Sequence, residues 1–135
     1  MKTAIIYARA KSSDSIKMQV SACKNYAEQN KIQVIDIYWD LVLNSHCQPL
    51  VWKEILNIPK PEFDYIIIYD HVRVGRNYIK QMNDRRNLKN KGVCFVTPFD
   101  ELTEEFFKQE DEYDKLLDCF NEYYNKLLQE RRKSK

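Results

Sequence analysis

The sequence contains no apolar run long enough to span a membrane. Its N-terminus has one lysine before the short apolar run of residues 3–7, which is too short for a secretory signal. These two absences argue against a membrane protein and against a secreted one. We therefore expect a soluble protein of the cytoplasm that does not bind membranes.

Residues in metal-binding patterns are also scarce. There are two histidines, His46 and His71, and neither has a partner at ligand spacing. The cysteines lack the short paired spacing of zinc sites and lie at Cys23, Cys47, Cys94 and Cys119. We interpret them as reduced thiols, mostly in the core, and predict no metal site.

Size and charge set further limits. The 135 residues are 44% hydrophobic, which is enough for one core. We predict a single domain over residues 1–135 and no separate DNA-binding domain. The net charge of +2 does not by itself indicate a nucleic-acid ligand, because binding to a phosphate backbone depends on local clusters of cations.

Strand and helix patterns alternate along residues 1–100, which predicts an α/β core with a mostly parallel sheet of four to five strands flanked by helices. The clearest strand contains Ile66, Ile67 and Ile68, a continuous β-branched run expected where both faces of a sheet are covered. The predicted strands are 3–8, 32–39, 64–69 and 93–96, and the predicted helices are 13–30, 50–58 and 77–90. Residues 40–49 show no period and are predicted to form a loop.

The spacing of apolar side chains in residues 103–133 predicts one long helix with a basic end. Its apolar side chains repeat at steps of three and four, in a stripe made of Tyr113, Leu116, Leu117, Phe120, Tyr123, Tyr124, Leu127 and Leu128. Packing on its own domain would explain the stripe, but no later element follows to cover it. We therefore predict dimerisation through Leu116, Leu117, Phe120, Tyr123, Tyr124 and Leu127. The basic end is open to two interpretations, a phosphate-contacting arm or a solvated tail.

Two motifs follow the ends of predicted strands. Residues 7–13 read Tyr-Ala-Arg-Ala-Lys-Ser-Ser, and residues 69–77 read Tyr-Asp-His-Val-Arg-Val-Gly-Arg-Asn. The first resembles the Tyr-x-Arg-Val-Ser-Ser/Thr opening of the serine recombinases, the resolvase and invertase family. The second resembles that family's Tyr-x-x-Asp-Arg-Leu-Ser-Arg-Asn. With Gln19 at the family's glutamine position in the first helix, the resemblance covers nearly the whole chain.

The resemblance implies a resolvase-like three-layer fold with a long C-terminal dimerisation helix. In the family, a serine hydroxyl after the first strand attacks a DNA phosphodiester and forms a covalent phosphoserine link, without metal or cofactor. Arginines around the phosphate stabilise the charge on its oxygens. By position, the resemblance assigns phosphate contacts to Arg9, Gln19, Arg73 and Arg76, and we expect the three arginines to converge on one pocket.

Four departures from the family fall on this chemistry. Lys11 stands where the resemblance places the nucleophilic serine, Val72 replaces an acidic residue, Gly75 replaces a serine, and Gln48 stands where a further arginine is usual. A lysine is mostly protonated at neutral pH, so it is a poor nucleophile although a capable phosphate ligand. Asp70 could supply the lost carboxylate, although an aspartate that terminates a strand is commoner.

Three functions follow from these observations. We predict a catalytically inactive serine-recombinase-like protein that binds DNA weakly and acts in site-specific DNA recombination or its regulation. It would do so as a homodimer or as a heterodimer with an active recombinase. An active recombinase that uses Ser12 as a shifted nucleophile is one alternative. A protein-interaction module with a vestigial DNA site, in which only the long helix matters, is the other.

Overall fold

The computed structural model describes residues 1–44, 46–75 and 77–133. For residues 132 and 133 it describes only the backbone. In chain order the elements are β1 (Thr3–Ala10), α1 (Ser13–Gln29), β2 (Gln33–Leu41), α2 (Leu50–Leu56), β3 (Tyr65–Ile68), a 3-10 turn (His71–Val74), α3 (Tyr78–Asn90), β4 (Cys94–Val96) and α4 (Glu104–Lys133). Within this part of the chain, no helix combines the length and the apolar character needed to cross a membrane.

The strands form one parallel sheet in the order β2-β1-β3-β4. This confirms the predicted α/β class, with four strands over the residues described. The chain passes from β1 to β2 on one side of the sheet and from β3 to β4 on the other. The carboxyl ends of β1 and β3 therefore form a switch point, the place where open parallel sheets bind their ligands.

Helices cover both faces of the sheet and make three layers. On one face, α1 buries Cys23, Tyr26 and Ala27 against Ala4 and Ile6 of β1. On the other face, α2 and α3 cover the opposite side chains of β1 and β3 with Trp52, Ile55 and Leu88. Because β1 and β3 are buried on both faces, their sequences are apolar without a polar alternation.

The first two strands are longer than the sequence predicts. The pairing of β1 with β2 continues to Ala10 opposite Leu41, so residues 40 and 41 belong to a strand and not to the predicted loop. In this register Arg9 lies opposite Asp40. The extension carries both side chains to the carboxyl edge of the sheet, beside the switch point.

Ion pairs hold the first half of α4 antiparallel to α3. Lys89 near the end of α3 bonds Asp114 at 2.6 Å, and Arg86, one turn earlier, bonds Asp118 at 2.7 Å. Between these pairs Leu117 is only 1% exposed, whereas its neighbour Leu116 is 44% exposed. The prediction that Leu117 belongs to a dimerisation face is therefore wrong, because α3 of the same chain covers this side chain.

We expect Leu117→Ala to lower the free energy of unfolding by about 2 to 5 kcal/mol, because the truncation leaves a cavity between α3 and α4. Leu50→Ala is the matched control, since Leu50 is 63% exposed, and we expect it to change stability by less than about 0.5 kcal/mol. Urea unfolding followed by circular dichroism measures both. Equal losses in the two variants would contradict the packing of α4 on α3.

Candidate functional site

A cavity of about 670 Å³ opens at the switch point between β1 and β3. Its charged and hydroxyl side chains come from the segment after β1 and from the 3-10 turn after β3. They are Arg9, Lys11, Ser12, Ser15 and Arg73, and Ala10, Val42, Asn44, Val72 and Gly75 complete the lining. We call this cavity the cation pocket. Arg76, which the resemblance also assigns to the site, lies outside the described residues.

Arg9 is held in the cation pocket by the tyrosine two residues before it. The Nε of Arg9 donates to the Tyr7 hydroxyl oxygen at 2.9 Å, and the guanidinium lies over the Tyr7 ring at 5.5 Å from its centroid. Tyr7 in turn donates its hydroxyl hydrogen to Asp40 Oδ2 at 2.5 Å. Burial first, and then the bond to Asp40, raises the pKa of Tyr7 far above its ordinary value, so the hydroxyl stays protonated.

Asp40 is a site residue that the sequence reasoning missed. Its carboxylate is 7% exposed and accepts the backbone N–H groups of Val51 and Trp52, each at 3.0 Å. It thereby caps α2, whose own N-cap residue, Pro49, makes no side-chain capping bond. The available signal was an acidic residue within the otherwise apolar segment 37–43, which we predicted only as the start of a loop.

Gln19 is not a phosphate ligand, contrary to the prediction. It is fully buried, and its amide accepts from the N–H of Arg9 at 3.2 Å and donates to the carbonyl of Arg9 at 3.0 Å. The reason lies in the sheet, where β3 ends at Ile68 opposite Tyr7, so β1 has no strand partner on that side at Arg9. The glutamine amide replaces the missing strand and fixes the backbone that carries the Arg9 side chain.

Arg73 closes the other side of the cation pocket and is partly neutralised. Its Nη1 donates to the Arg9 carbonyl at 3.3 Å, and its Nε lies 3.4 Å from Asp70 Oδ1. Asp70 also caps the 3-10 turn by accepting from Val72 N–H at 3.1 Å. Arg73 thus meets Arg9 at the cation pocket with part of its charge offset by a carboxylate. No carboxylate of the described residues lies within 4.0 Å of Arg9 or Lys11.

Lys11 and Ser12 are both exposed at the rim of the cation pocket. Ser12 is the N-cap of α1, and its Oγ accepts from Ser15 N–H at 3.2 Å. This bond uses a lone pair of the oxygen that would have to attack a phosphorus atom. The lysine side chain carries only hydrogen-bond donors when protonated, so it complements phosphate oxygens.

Of the other departures, Gly75 and Val72 line the cation pocket and Gln48 does not. Gly75 has φ +124° and ψ 159°, a backbone conformation that serine rarely adopts, and no atom of the described residues would block a Cβ there. The side-chain amide of Gln81 donates a hydrogen bond to the carbonyl of Gly75. Val72 lines the pocket as an exposed apolar side chain. Gln48 does not line it and accepts from Lys53 Nζ at 2.9 Å.

The family described as "Resolvase, N terminal domain" matches residues 4–135. The structure is similar to the N-terminal catalytic domain of TP901-1 integrase, with 21% identity, a TM-score of 0.73, and coverage of 93% of this chain and 98% of that chain. It is also similar to a resolvase family site-specific recombinase from Streptococcus pneumoniae, with 14% identity, a TM-score of 0.61, and 98% and 99% coverage. At such identities the likeness shows the fold. No curated protein matches the chain.

A third similar structure is the C-terminal catalytic domain of ISC1926 TnpA, which is described as an IS607-like serine recombinase. It is 23% identical, has a TM-score of 0.56, and is matched over 93% of this chain and 85% of that chain. The fold is thus shared with an integrase whose catalytic domain is N-terminal and with a serine recombinase whose catalytic domain is C-terminal.

The turn that carries Arg73 contains a histidine whose titration affects stability. Burial first, and then the charge of Arg85, lowers the pKa of His71, so the unfolded chain takes up this proton at higher pH than the folded one. The contribution of neutral His71 to stability is fully present above the ordinary histidine pKa of about 6.5. It is lost as the pH drops through the lowered pKa of the folded state.

We expect His71→Gln to reduce the loss of thermal stability between about pH 7.5 and about pH 5.5, the range in which histidine titrates. His46→Gln, which removes the exposed histidine, is the control. Melting temperatures across this range test the prediction. An unchanged pH dependence in His71→Gln would show that another group causes it.

Proposed function

The chain belongs to the resolvase N-terminal domain family, and from this premise we propose that it is a serine-recombinase-like protein that binds DNA without cutting it. The observation that carries the proposal is the cation pocket, in which Arg9 and Arg73 are retained and Lys11 occupies the position of the nucleophile. A third cation in that position favours binding of a phosphate over attack on it.

The charge and hydrogen bonding of the pocket support a phosphate ligand. Arg9 and Lys11 face the cavity without carboxylate partners among the described residues. The Nη2 of Arg9 is buried and lacks a hydrogen-bond partner in the same part of the chain. An anion in the cavity would supply that partner after a small side-chain movement, and it would offset the repulsion between the cations.

The direction of α4 supports DNA as the source of the phosphate. Because α4 runs antiparallel to α3, Tyr124 lies beside Asn77 and Lys80 at the start of α3, which is at the carboxyl edge of the sheet. Residues 125–133 continue past that point by roughly 13 Å of helix. This segment contains Lys126 and Arg131, so these two cations lie on the same side of the molecule as the cation pocket.

The outer side of α4 supports a dimer. Leu116, Phe120, Tyr123 and Leu127 are 44%, 40%, 64% and 40% exposed, and their spacing of four, three and four residues is that of a coiled-coil seam. We call these four residues the seam. Tyr124, the other residue predicted for dimerisation, is 56% exposed but borders α3. We propose that a second copy, or an active recombinase of the same fold, covers the seam.

Arg9→Ala and Arg73→Ala are each expected to weaken DNA binding to a similar extent on every sequence tested, because each loses a phosphate contact. Each should reduce the slope of log affinity against log salt by about 1. Lys60→Ala is the control, since Lys60 is exposed and precedes β3 at the opposite edge of the sheet. Fluorescence anisotropy with labelled duplexes at several salt concentrations measures the slopes.

Two results would contradict this function in different ways. Unchanged affinity and salt slope in both arginine variants would favour the protein-interaction module. Covalent protein–DNA adducts on supercoiled DNA, lost in Ser12→Ala, would favour the active recombinase, because Ser12 also lines the cation pocket.

We expect Phe120→Glu to raise the dissociation constant of the dimer by at least about tenfold, since a carboxylate in the seam must be buried or the helices must separate. Asn125→Glu introduces the same charge on the same helix away from the seam and should leave dimerisation unchanged. Sedimentation equilibrium distinguishes them. A wild-type protein that is monomeric at all concentrations would contradict the homodimer.

A further inference from the structure

A second open cavity, of about 560 Å³, lies between α1 and β2 at the outer edge of the sheet. Its apolar lining consists of Ile16, Val20, Ile37, Trp39 and Leu41. It shares no lining residue with the cation pocket and none with the seam on α4. We call it the edge groove.

Two of the apolar side chains of the edge groove are unusually exposed for their size. Trp39 is 54% exposed and Leu41 is 46% exposed, and they belong to the outermost strand of the sheet. Contiguous apolar surface of this kind, with polar residues at its rim, is typical of a site for another protein segment.

The backbone of β2 disfavours an added β-strand as the occupant. The N–H of Ile37 donates to the carboxylate of its neighbour Asp36 at 2.8 Å, so a side chain of the same strand already occupies this donor. The register of β2 is also irregular just before Asp36. A negative charge and an irregularity at an edge are features that block strand addition.

The charged side chains of the edge groove are both positive. Lys17 and Lys24 line it, no carboxylate does, and neither lysine has an ion pair among the described residues. They are seven residues apart on α1, which places them two helical turns and about 10 Å apart along one face. This spacing matches two carboxylates separated by two turns of a second helix.

We propose that the edge groove binds an amphipathic helix of a partner protein. The apolar face of that helix packs on Trp39 and Leu41, and its carboxylates, two turns apart, pair with Lys17 and Lys24.

Two synthetic helical peptides with the same apolar positions test the proposal. One carries glutamates two turns apart, and the other carries lysines at those positions. Acrylamide quenching of tryptophan fluorescence reports binding at Trp39, because the only other tryptophan, Trp52, is 2% exposed. We expect the glutamate peptide to protect Trp39 in a saturable way, with an affinity at least about tenfold higher than that of the lysine peptide.

The double variant Lys17→Glu/Lys24→Glu should reverse this preference, and its circular dichroism should match the wild type because both lysines are exposed. Lys31→Glu/Lys60→Glu makes the same change in charge at exposed positions outside the groove and should keep the wild-type preference.

Equal binding of the two peptides, or no binding of either, would overturn the proposal. Protection of Trp39 that grows with protein concentration alone would also overturn it, since the occupant would then be a second copy. The assay contains no DNA, so its outcome is independent of the function of the cation pocket.

Discussion

The hydroxyl of Tyr7 joins the candidate site to the core of the protein. It accepts a hydrogen bond from Arg9 and donates one to Asp40, and Asp40 holds the first N–H groups of α2. A central strand, its neighbour and a helix on one face are thus fixed by one buried group. Because the Tyr7 hydroxyl is bonded to both Arg9 Nε and Asp40, the Arg9 side chain is positioned before any ligand arrives, and less side-chain entropy remains to be lost on binding.

The sequence predicts the layers of this fold well because β1 and β3 are continuously apolar and α1 is amphipathic. It does not predict the ends of strands, and Asp40 was missed for that reason: pairing with β1, not local pattern, extends β2 to Leu41. Gln19 shows a second limit of prediction from the sequence. Its position in the chain suits a ligand, but its role depends on where β3 stops, which only the register reveals.

The departures from the family motif become easier to understand in this geometry. A serine at the position of Gly75 would be strained by the backbone, and Ser12 uses its oxygen to cap α1. Lys11 adds a cation to a site whose neighbouring arginines remain in place. The scaffold of the cation pocket and the residue at the nucleophile position are therefore separable, since the contacts that hold Arg9 and Arg73 do not involve the side chain of Lys11.

The long helix illustrates why a hydrophobic stripe alone cannot identify an interface. Periodicity groups Leu116 with Leu117, but cations on α3 attract the acidic side chains at 110, 111, 114 and 118 and thereby decide which flank of α4 turns inward. Leu117 lies on that flank and is covered, while Leu116 and Phe120 stay exposed. These four acidic side chains therefore orient α4 on the domain. By fixing the rotation of α4 about its axis, these pairs leave the seam outward. Their antiparallel order along α3 directs the second half of α4 toward the carboxyl edge of the sheet.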